Sequence, residues 1–284
     1  MLLYEHDGKL MRRGEGLRAR PCRCKAVPAP VARLPTSAHP ARPCRRPPGQ
    51  AGSVIMPRHK NVDSRGRSLE PREVPSRDVR MPPLGLAGTL GIPRSAAGLV
   101  VFVHGSGSSR FSPRNTRVAQ ALNAAGYATL LFDLLTGDEE RDRQNVFDIP
   151  LLAERLAAAV RWISREPDIV PLPIGLFGAS TGAAAALVAA ANFGIDIGAV
   201  VSRGGRPDLA GAALERIRVP TLLIVGGADI EVIELNEQAL ARLPGPKALE
   251  IVPGASHLFP EPGAMDAVIA HARAWFDRYL AHAT

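Results

Sequence analysis

The most constraining feature of the sequence is the pentapeptide Gly178-Ala179-Ser180-Thr181-Gly182, which lies between an apolar run and an alanine-rich run. Residues 173–177 have the composition of a buried strand, and residues 183–191 favour a helix because alanine has the highest helix propensity. Glycines on both sides of the serine permit a sharp turn between these two elements. The pattern therefore predicts a serine hydroxyl beside a helix N-terminus, where developing negative charge is stabilised. A glycine-rich loop is the alternative, since the chain has 27 glycines.

Apolar runs alternate with helical patterns along the chain after a short antiparallel hairpin predicted at residues 78–82 and 86–90. Continuous apolarity is typical of parallel strands that are covered on both faces. This alternation predicts an α/β fold with a mostly parallel, doubly wound sheet flanked by helices. The predicted strands are 99–104, 127–133, 173–177, 197–201, 220–225 and 247–252, and the predicted helices are 113–125, 148–165, 183–191, 231–243 and 263–281. The segment between strands 197–201 and 220–225 is too short for a cap domain.

Residues 1–75 differ from the rest of the chain in composition and charge. They contain 11 prolines and carry a net charge of +10, whereas the whole chain carries +8, so residues 76–284 carry −2. The high isoelectric point therefore belongs to this segment and gives no reason to expect nucleic-acid binding by the remainder. We predict a disordered basic tail over residues 1–75, because it buries too little apolar surface to offset its ordering entropy. Residues 76–284 are predicted to form the folded domain.

Two further interpretations of the tail stay open. It is the product of a wrong start codon if Met56 or Met81 is the true start. Alternatively, its arginines bind RNA, DNA or anionic lipid, although no aromatic side chains are interleaved with them as a stacking surface for bases would require.

The cysteines also lie in this segment, at Cys22, Cys24 and Cys44. An odd number of cysteines, none of them in the predicted domain, argues against a disulfide framework. Together with His39 they could supply four metal ligands, but the spacing matches no zinc pattern, so we expect neither a metal nor a cofactor. No apolar run has the length of a membrane span or of a signal peptide, and we therefore expect a cytoplasmic protein.

A serine nucleophile needs a base to take its proton and an acid to orient that base. In a parallel sheet these groups come from the carboxyl ends of strands. Asp229 follows the predicted strand 220–225, and His257 follows the last strand. We predict that Ser180 is the nucleophile, His257 the base and Asp229 the acid. The alternatives are a helix N-cap role for Asp229, Asp208 as the acid, and a structural role for His257.

The segment 104–109, His-Gly-Ser-Gly-Ser-Ser, follows the first central strand and is rich in glycine. Its backbone amides can approach an oxyanion closely because glycine has no side chain. We expect the oxyanion hole to consist of the amides of Ser106 and Thr181, with the neighbouring Gly107 as the alternative donor. His104 is expected to hold this loop by hydrogen bonds.

Two arginines, Arg203 and Arg206, follow the predicted strand 197–201 and are candidates for binding an anionic substrate. An ion pair within the loop, with Asp208 or a neighbour, is the alternative. Asp133 stands at the end of another strand, where we expect it to make a structural hydrogen bond.

Residues 78–284 resemble the dienelactone-hydrolase-like branch of the α/β-hydrolases, and within it the small cap-less bacterial members. These include the hydrolase part of chains that are fused to a phosphoribosyltransferase-like domain. The pattern G-x-S-x-G at residues 178–182 is similar to the nucleophile elbow of that fold, and the order Ser, Asp, His is the order of its triad. The other matching stretches are 103–109, 132–136, 201–210, 226–229, 256–259 and 261–263.

The resemblance implies a serine hydrolase that cleaves a small carboxylic ester or thioester through an acyl-enzyme on Ser180. Dienelactone hydrolases proper have cysteine as the nucleophile, so the serine points to a general ester rather than a dienelactone. The expected partner is a small-molecule ester, and no membrane or nucleic acid is expected to bind the domain. The alternatives are a catalytically silent scaffold whose tail binds nucleic acid or a partner, and an acyltransferase or peptidase on the same triad.

Overall fold

A computed structural model describes residues 74–169 and 172–280. The chain divides into two units, Met1–Arg58 and His59–Thr284, and the described residues belong to the second. The predictions for the basic tail and its cysteines concern residues outside the described part, apart from residues 74 and 75.

The described residues contain one sheet of eight strands, in which the central strands are parallel and only the first two run antiparallel to their neighbours. The strands are β1 Ser76–Met81, β2 Leu86–Gly91, β3 Leu99–Val103, β4 Ala128–Phe132, β5 Ile174–Ala179, β6 Ala199–Arg203, β7 Thr221–Gly226 and β8 Lys247–Val252. Their order in the sheet is β1-β2-β4-β3-β5-β6-β7-β8. The predicted hairpin and the predicted mostly parallel sheet are confirmed.

Helices connect the parallel strands, as the alternation in the sequence predicted, and two short helices that were not predicted precede the predicted helix 148–165. They are α1 Pro113–Ala124, α2 Gly137–Glu140, α3 Arg143–Phe147, α4 Ile149–Ile163, α5 Thr181–Asn192, α6 Ile230–Arg242 and α7 Ala264–Tyr279. The connection from β6 to β7 is a 3₁₀ helix, Pro207–Arg216, kinked at Gly211, and it holds no cap domain. Among the described helices, none combines the length and the apolarity that crossing a membrane requires.

Strand β6 departs from its predicted position by two residues. The prediction was 197–201, but the strand begins at Ala199 and ends at Arg203 because Ser202 and Arg203 pair with Gly178 and Ala179 of β5. Polar residues at a strand end resemble loop residues in the sequence, and only the pairing with β5 places them in the sheet. Arg203 is therefore the last residue of β6 and does not lie in a loop.

Side chains bury both faces of the sheet. On one face lie the apolar residues of α4, α5 and α6, including Leu156 and Leu187, and on the other face lie those of α1 and α7, including Leu122 and Phe276. Coverage on both faces explains why the central strands are continuously apolar. Because β3, β5, β6, β7 and β8 are parallel, their carboxyl ends lie at the same end of the sheet, and the candidate site is formed there.

Candidate active site

Ser180 stands at the turn between β5 and α5 in a strained backbone conformation. Its φ is 51° and its ψ is −124°, a region that non-glycine residues rarely adopt and that costs about 1–3 kcal/mol. Two backbone hydrogen bonds join the turn to β6 and the loop after it: the Ser180 amide donates to the Arg203 carbonyl over 3.3 Å, and the Arg206 amide donates to the Ser180 carbonyl over 3.1 Å. Although Ser180 is the N-cap residue of α5, its side chain makes no capping hydrogen bond.

The glycines beside the serine permit close packing of α5 on the sheet. A Cβ atom at Gly182 would overlap the carbonyl oxygen of Val103 at the end of β3. A Cβ atom at Gly178 would lie 2.5 Å from the Cα of Ala183 in the first turn of α5. The pentapeptide is therefore a requirement of packing between strand and helix, and the alternative of an unspecific glycine-rich loop is excluded.

The imidazole of His257 is joined to a carboxylate. Its Nδ1 lies 2.7 Å from Oδ2 of Asp229, and the Nδ1–H donates to that oxygen. Asp229 occupies the N-cap position of α6, yet its side chain makes no capping hydrogen bond. With the Nδ1 proton held there, Nε2 is left as the acceptor that a general base needs.

Asp208, the other candidate acid, is occupied elsewhere. Its two carboxylate oxygens accept from Nε and Nη2 of Arg206 over 2.9 and 2.7 Å. The geometry therefore brings Asp229, and not Asp208, to His257. It also realises the predicted alternative for Arg206, which is an ion pair within the loop, and the Asp208 hydrogen bond raises the pKa of Arg206.

Ser180 and His257 line one cavity of about 200 Å³ at the carboxyl edge of the sheet. Within the described residues, no hydrogen bond joins the Ser180 Oγ to His257. In enzymes without bound substrate such bonds are often long, and they form in the complex. The other residues that line the cavity are Gly105, Ser106, Ser108, Ser112, Arg114, Asn115, Ala179, Arg203, Gly204 and Leu258.

The predicted oxyanion donors lie close together. The Ser106 amide donates to the Thr181 hydroxyl over 2.9 Å, so the loop after β3 is bonded to the first residue of α5. The Thr181 amide belongs to the first helical turn, where amides have no intrahelical acceptor. Gly107 lines a smaller neighbouring cavity rather than that of Ser180.

His104 holds the loop after β3 by hydrogen bonds, as predicted. Its Nδ1–H donates to the Gly105 carbonyl over 3.1 Å, and its Nε2 accepts from the Leu134 amide over 3.2 Å. Burial lowers the pKa of His104, in keeping with a neutral ring that uses both nitrogens structurally. Asp133 also makes the expected structural bonds, accepting from the amide of Arg110 over 2.8 Å and from its guanidinium.

The two candidate arginines have opposite surroundings. Arg206 is paired with Asp208, whereas Arg203 is only 6% exposed and lines the cavity that contains Ser180. Burial, together with the positive charge of Arg114, lowers the pKa of Arg203 to about 10. Within residues 74–169 and 172–280, no carboxylate pairs with Arg203.

Several cavity residues were not predicted from the sequence. Arg114 and Asn115 are at the start of α1, and Ser112 is its N-cap, whose hydroxyl accepts from the Asn115 amide over 3.4 Å. A polar helix start is usually solvated, so neither side chain carried a signal of function. Their position after β3, at the same sheet edge as Ser180, was the available indication.

Two features bear on the chemistry of the site: whether metal-ligating side chains cluster there, and whether it has groups suited to acyl transfer. In the part of the chain that the structure describes, no three His, Cys, Asp or Glu side chains are grouped around a common point as metal ligands would be. A nucleophilic hydroxyl, an acid-oriented imidazole and a nearby helix N-terminus can together carry out acyl transfer.

The parallel sheet, the strained serine turn and the Asp229–His257 pair define the fold class of the described domain, which is that of the α/β-hydrolases. The profile of the Dienelactone hydrolase family matches residues 86–280, and the chain belongs to that family.

The chain is also similar to individual proteins. A dienelactone hydrolase of Anabaena variabilis with a solved structure is 54% identical; the match covers 73% of this chain and 98% of that one, with a TM-score of 0.70. Est1E of Butyrivibrio proteoclasticus shares the fold at 16% identity, 72% and 98% coverage and a TM-score of 0.60. A putative phosphoribosyl transferase of Mycobacterium tuberculosis is 58% identical over 198 residues, which are 70% of this chain and 45% of the relative. The chain therefore spans less than half the length of that curated relative.

Proposed function

We propose that the domain hydrolyses a small carboxylic ester or thioester through an acyl-enzyme on Ser180. The observation that carries this proposal is the 2.7 Å bond between His257 and Asp229, formed beside the cavity that also contains the strained serine. A carboxylate held on Nδ1 leaves the opposite nitrogen of the ring free to accept a proton from a hydroxyl. Strain at the nucleophile is expected at functional sites because the surrounding structure must maintain it.

In the first half of the reaction, His257 Nε2 accepts the Ser180 proton while Oγ attacks the carbonyl carbon of the ester. The tetrahedral intermediate collapses, the bond to the leaving oxygen or sulfur breaks, and the imidazolium returns its proton to that atom. In the second half, a water molecule gives a proton to His257 and attacks the acyl carbon. Ser180 then leaves as the protonated hydroxyl and the acid product is released.

We propose the Thr181 amide as the principal donor to the oxyanion. The Ser106 amide, which donates to the Thr181 hydroxyl in the structure, becomes the second donor if that hydroxyl turns aside when substrate binds. The amide of Gly107 is the further candidate, and it would have to turn away from the neighbouring cavity. Donors of this kind are each worth about 3–4 kcal/mol in the transition state.

We also propose that the enzyme works in the cytoplasm on small soluble substrates. Support for small substrates comes from the small volume of the cavity, about 200 Å³, and from the short connection between β6 and β7. The net charge of −2 over residues 76–284 gives this part of the chain no electrostatic attraction to nucleic acid.

The proposal is tested by labelling with a fluorophosphonate, which reacts with activated serines. The wild type should be labelled, whereas Ser180→Ala and His257→Ala should not, because one lacks the nucleophile and the other the base. Asp229→Asn should lower the hydrolysis rate of an aryl ester by about 10⁴-fold, because the asparagine favours the wrong imidazole tautomer.

Asp208→Asn is the matched control. Asp208 is bonded to Arg206 and not to His257, so this variant should be labelled like the wild type. A folded wild type that is not labelled would remove the proposal. An equal loss in Asp208→Asn and Asp229→Asn would contradict the assignment of the acid.

A further inference from the structure

Arg203 is a buried cation whose hydrogen-bonding capacity is largely unused. Its Nη2 donates to the Asn115 side-chain oxygen over 3.3 Å, and its buried Nε has no hydrogen-bond partner. A guanidinium carries five N–H donors and remains charged, so taking it out of water is costly unless an acceptor or an opposite charge compensates. Within the described ranges of the chain, no Asp or Glu supplies that charge.

A second arginine, Arg114, is partly buried and lines the same cavity. Arg114 lines it together with Arg203, and the Nε of Arg114 is likewise buried without a partner. By contrast, Arg110, Arg117 and Arg155 each contact a carboxylate, which compensates their charge even though the Nε atoms of Arg110 and Arg155 are also buried without a partner. Burial is the main cause of the lowered pKa of Arg203, and the positive charge of the neighbouring Arg114 lowers it further.

An anion that entered the cavity would relieve both costs at once. Guanidinium groups form short, charge-assisted hydrogen bonds with oxyanions, and two of them can hold one group from two sides. The Ser108 and Ser112 side chains also line the cavity and can donate to the remaining oxygens. Because Ser180 and His257 line the same space, the anion would belong to the molecule whose ester is cleaved.

We propose that Arg203 and Arg114 form a phosphate subsite, and that the enzyme cleaves esters of compounds that carry a phosphate monoester. This inference rests on the proposed function of Ser180. A phosphate monoester has a charge of about −1.5 to −2 near neutral pH and three acceptor oxygens, which match two guanidinium groups. A carboxylate would neutralise only one of them.

Three acetate esters of similar length test the proposal: those of ethylene glycol monophosphate, γ-hydroxybutyrate and ethylene glycol monomethyl ether. They carry a phosphate, a carboxylate and a neutral end, respectively, and acetate release gives kcat/KM for each. We expect kcat/KM for the phosphate ester to be about tenfold or more above that for the neutral ester, because charge-assisted hydrogen bonds strengthen its binding. A ratio near one, or a preference for the carboxylate over the phosphate, would overturn the proposal.

Variants of the two arginines test whether they cause the preference for the phosphate ester. Arg114→Gln and Arg203→Lys should each reduce the phosphate-to-neutral ratio of kcat/KM by about tenfold. Arg117→Gln, a change on the same helix at an arginine that pairs with Asp266, is the matched control and should leave the ratio as in the wild type. If the ratio survived in Arg114→Gln and in Arg203→Lys, the phosphate would bind elsewhere and the proposal would fail. Thermal unfolding of each variant checks that it is folded.

A binding measurement separates this proposal from the proposed function. Inorganic phosphate is titrated calorimetrically into Ser180→Ala, which cannot turn over, with and without Arg114→Gln. Binding to the first protein and not to the second supports the subsite, and absence of binding overturns it even if neutral esters are cleaved. Phosphate binding in a wild type that cleaves no ester and takes no fluorophosphonate would refute the hydrolase mechanism, and with it the phosphorylated ester as substrate.

Discussion

At the scale of single residues, the site is formed from positions that would be unfavourable elsewhere in the protein. Ser180 has a strained backbone, and Arg203 is a buried charge that meets no opposite charge among the described residues. Such exceptions to local rules are expected at functional sites, where the rest of the fold provides the compensating stability. His104 is a different case, because its two ring nitrogens are satisfied only in the neutral form.

The neutral state of His104 predicts a pH dependence of stability. Its folded-state pKa lies below the reference value of 6.5, so the folded protein binds fewer protons than the unfolded chain in that window. The free energy of unfolding should therefore fall as the pH drops below about 6.5, by at most about 1.4 kcal/mol per pH unit, until the folded pKa is reached.

Urea unfolding of the wild type and of His104→Gln between pH 5 and 7 measures this effect. The glutamine can still accept from the Leu134 amide but does not titrate, so its slope with pH should be shallower. Equal slopes for the two proteins would show that His104 is not the group responsible.

At the scale of elements, the serine is positioned by how closely α5 approaches β3. This approach is possible because Gly182 faces the end of β3 without a side chain. The same turn is bonded to β6 through the Ser180 amide and the Arg203 carbonyl. Contacts of α5 with β3 and of the turn with β6 therefore determine the position of Ser180.

Gly182→Ala should push α5 away from β3. The added Cβ would overlap the carbonyl oxygen of Val103, which is backbone and cannot move aside cheaply. We expect a loss of about 1–3 kcal/mol in the free energy of unfolding and a slower reaction with fluorophosphonate. Gly137→Ala is the control, because a Cβ there meets no atom within 4 Å. Wild-type stability and labelling in Gly182→Ala would contradict this account of the turn.

At the scale of the whole domain, the sheet edge keeps its geometry because both faces of the sheet are packed. Phe276 of α7 is fully buried and lies against Tyr127, with ring centroids 6.2 Å apart. It belongs to the layer that covers β3, β5 and β7 from one side. Loss of this packing layer would therefore disturb the site even if no residue of the site were changed.

Phe276→Ala should lower the free energy of unfolding by about 3–5 kcal/mol, since it leaves a cavity in a closed layer. Phe147→Ala, at a phenylalanine of α3 that is largely exposed, should change stability by less than about 0.5 kcal/mol. Calorimetric melting of both variants gives the comparison. Similar melting temperatures for the two would mean that the α1–α7 layer contributes little to stability.

The sequence by itself predicted the order of the strands and of the five longer helices, and it supplied the candidates for the proposed triad. These follow from local patterns: continuous apolar runs for covered strands, and glycines at fixed distances from Ser180 for a tight turn. The position of β6 was two residues wrong because Ser202 and Arg203 resemble loop residues until β5 pairs with them.

Only the tertiary structure decided which charged side chains meet. Asp208 and Asp229 both follow strands, and their roles separate only because Arg206 takes the first and His257 the second. Arg203 and Asn115 are 88 positions apart in the chain, so their bond, and the cavity that Arg114 shares with them, could not be read from the sequence. Local patterns depend on neighbouring residues, whereas the balance of buried charge depends on which distant elements the packed sheet brings together.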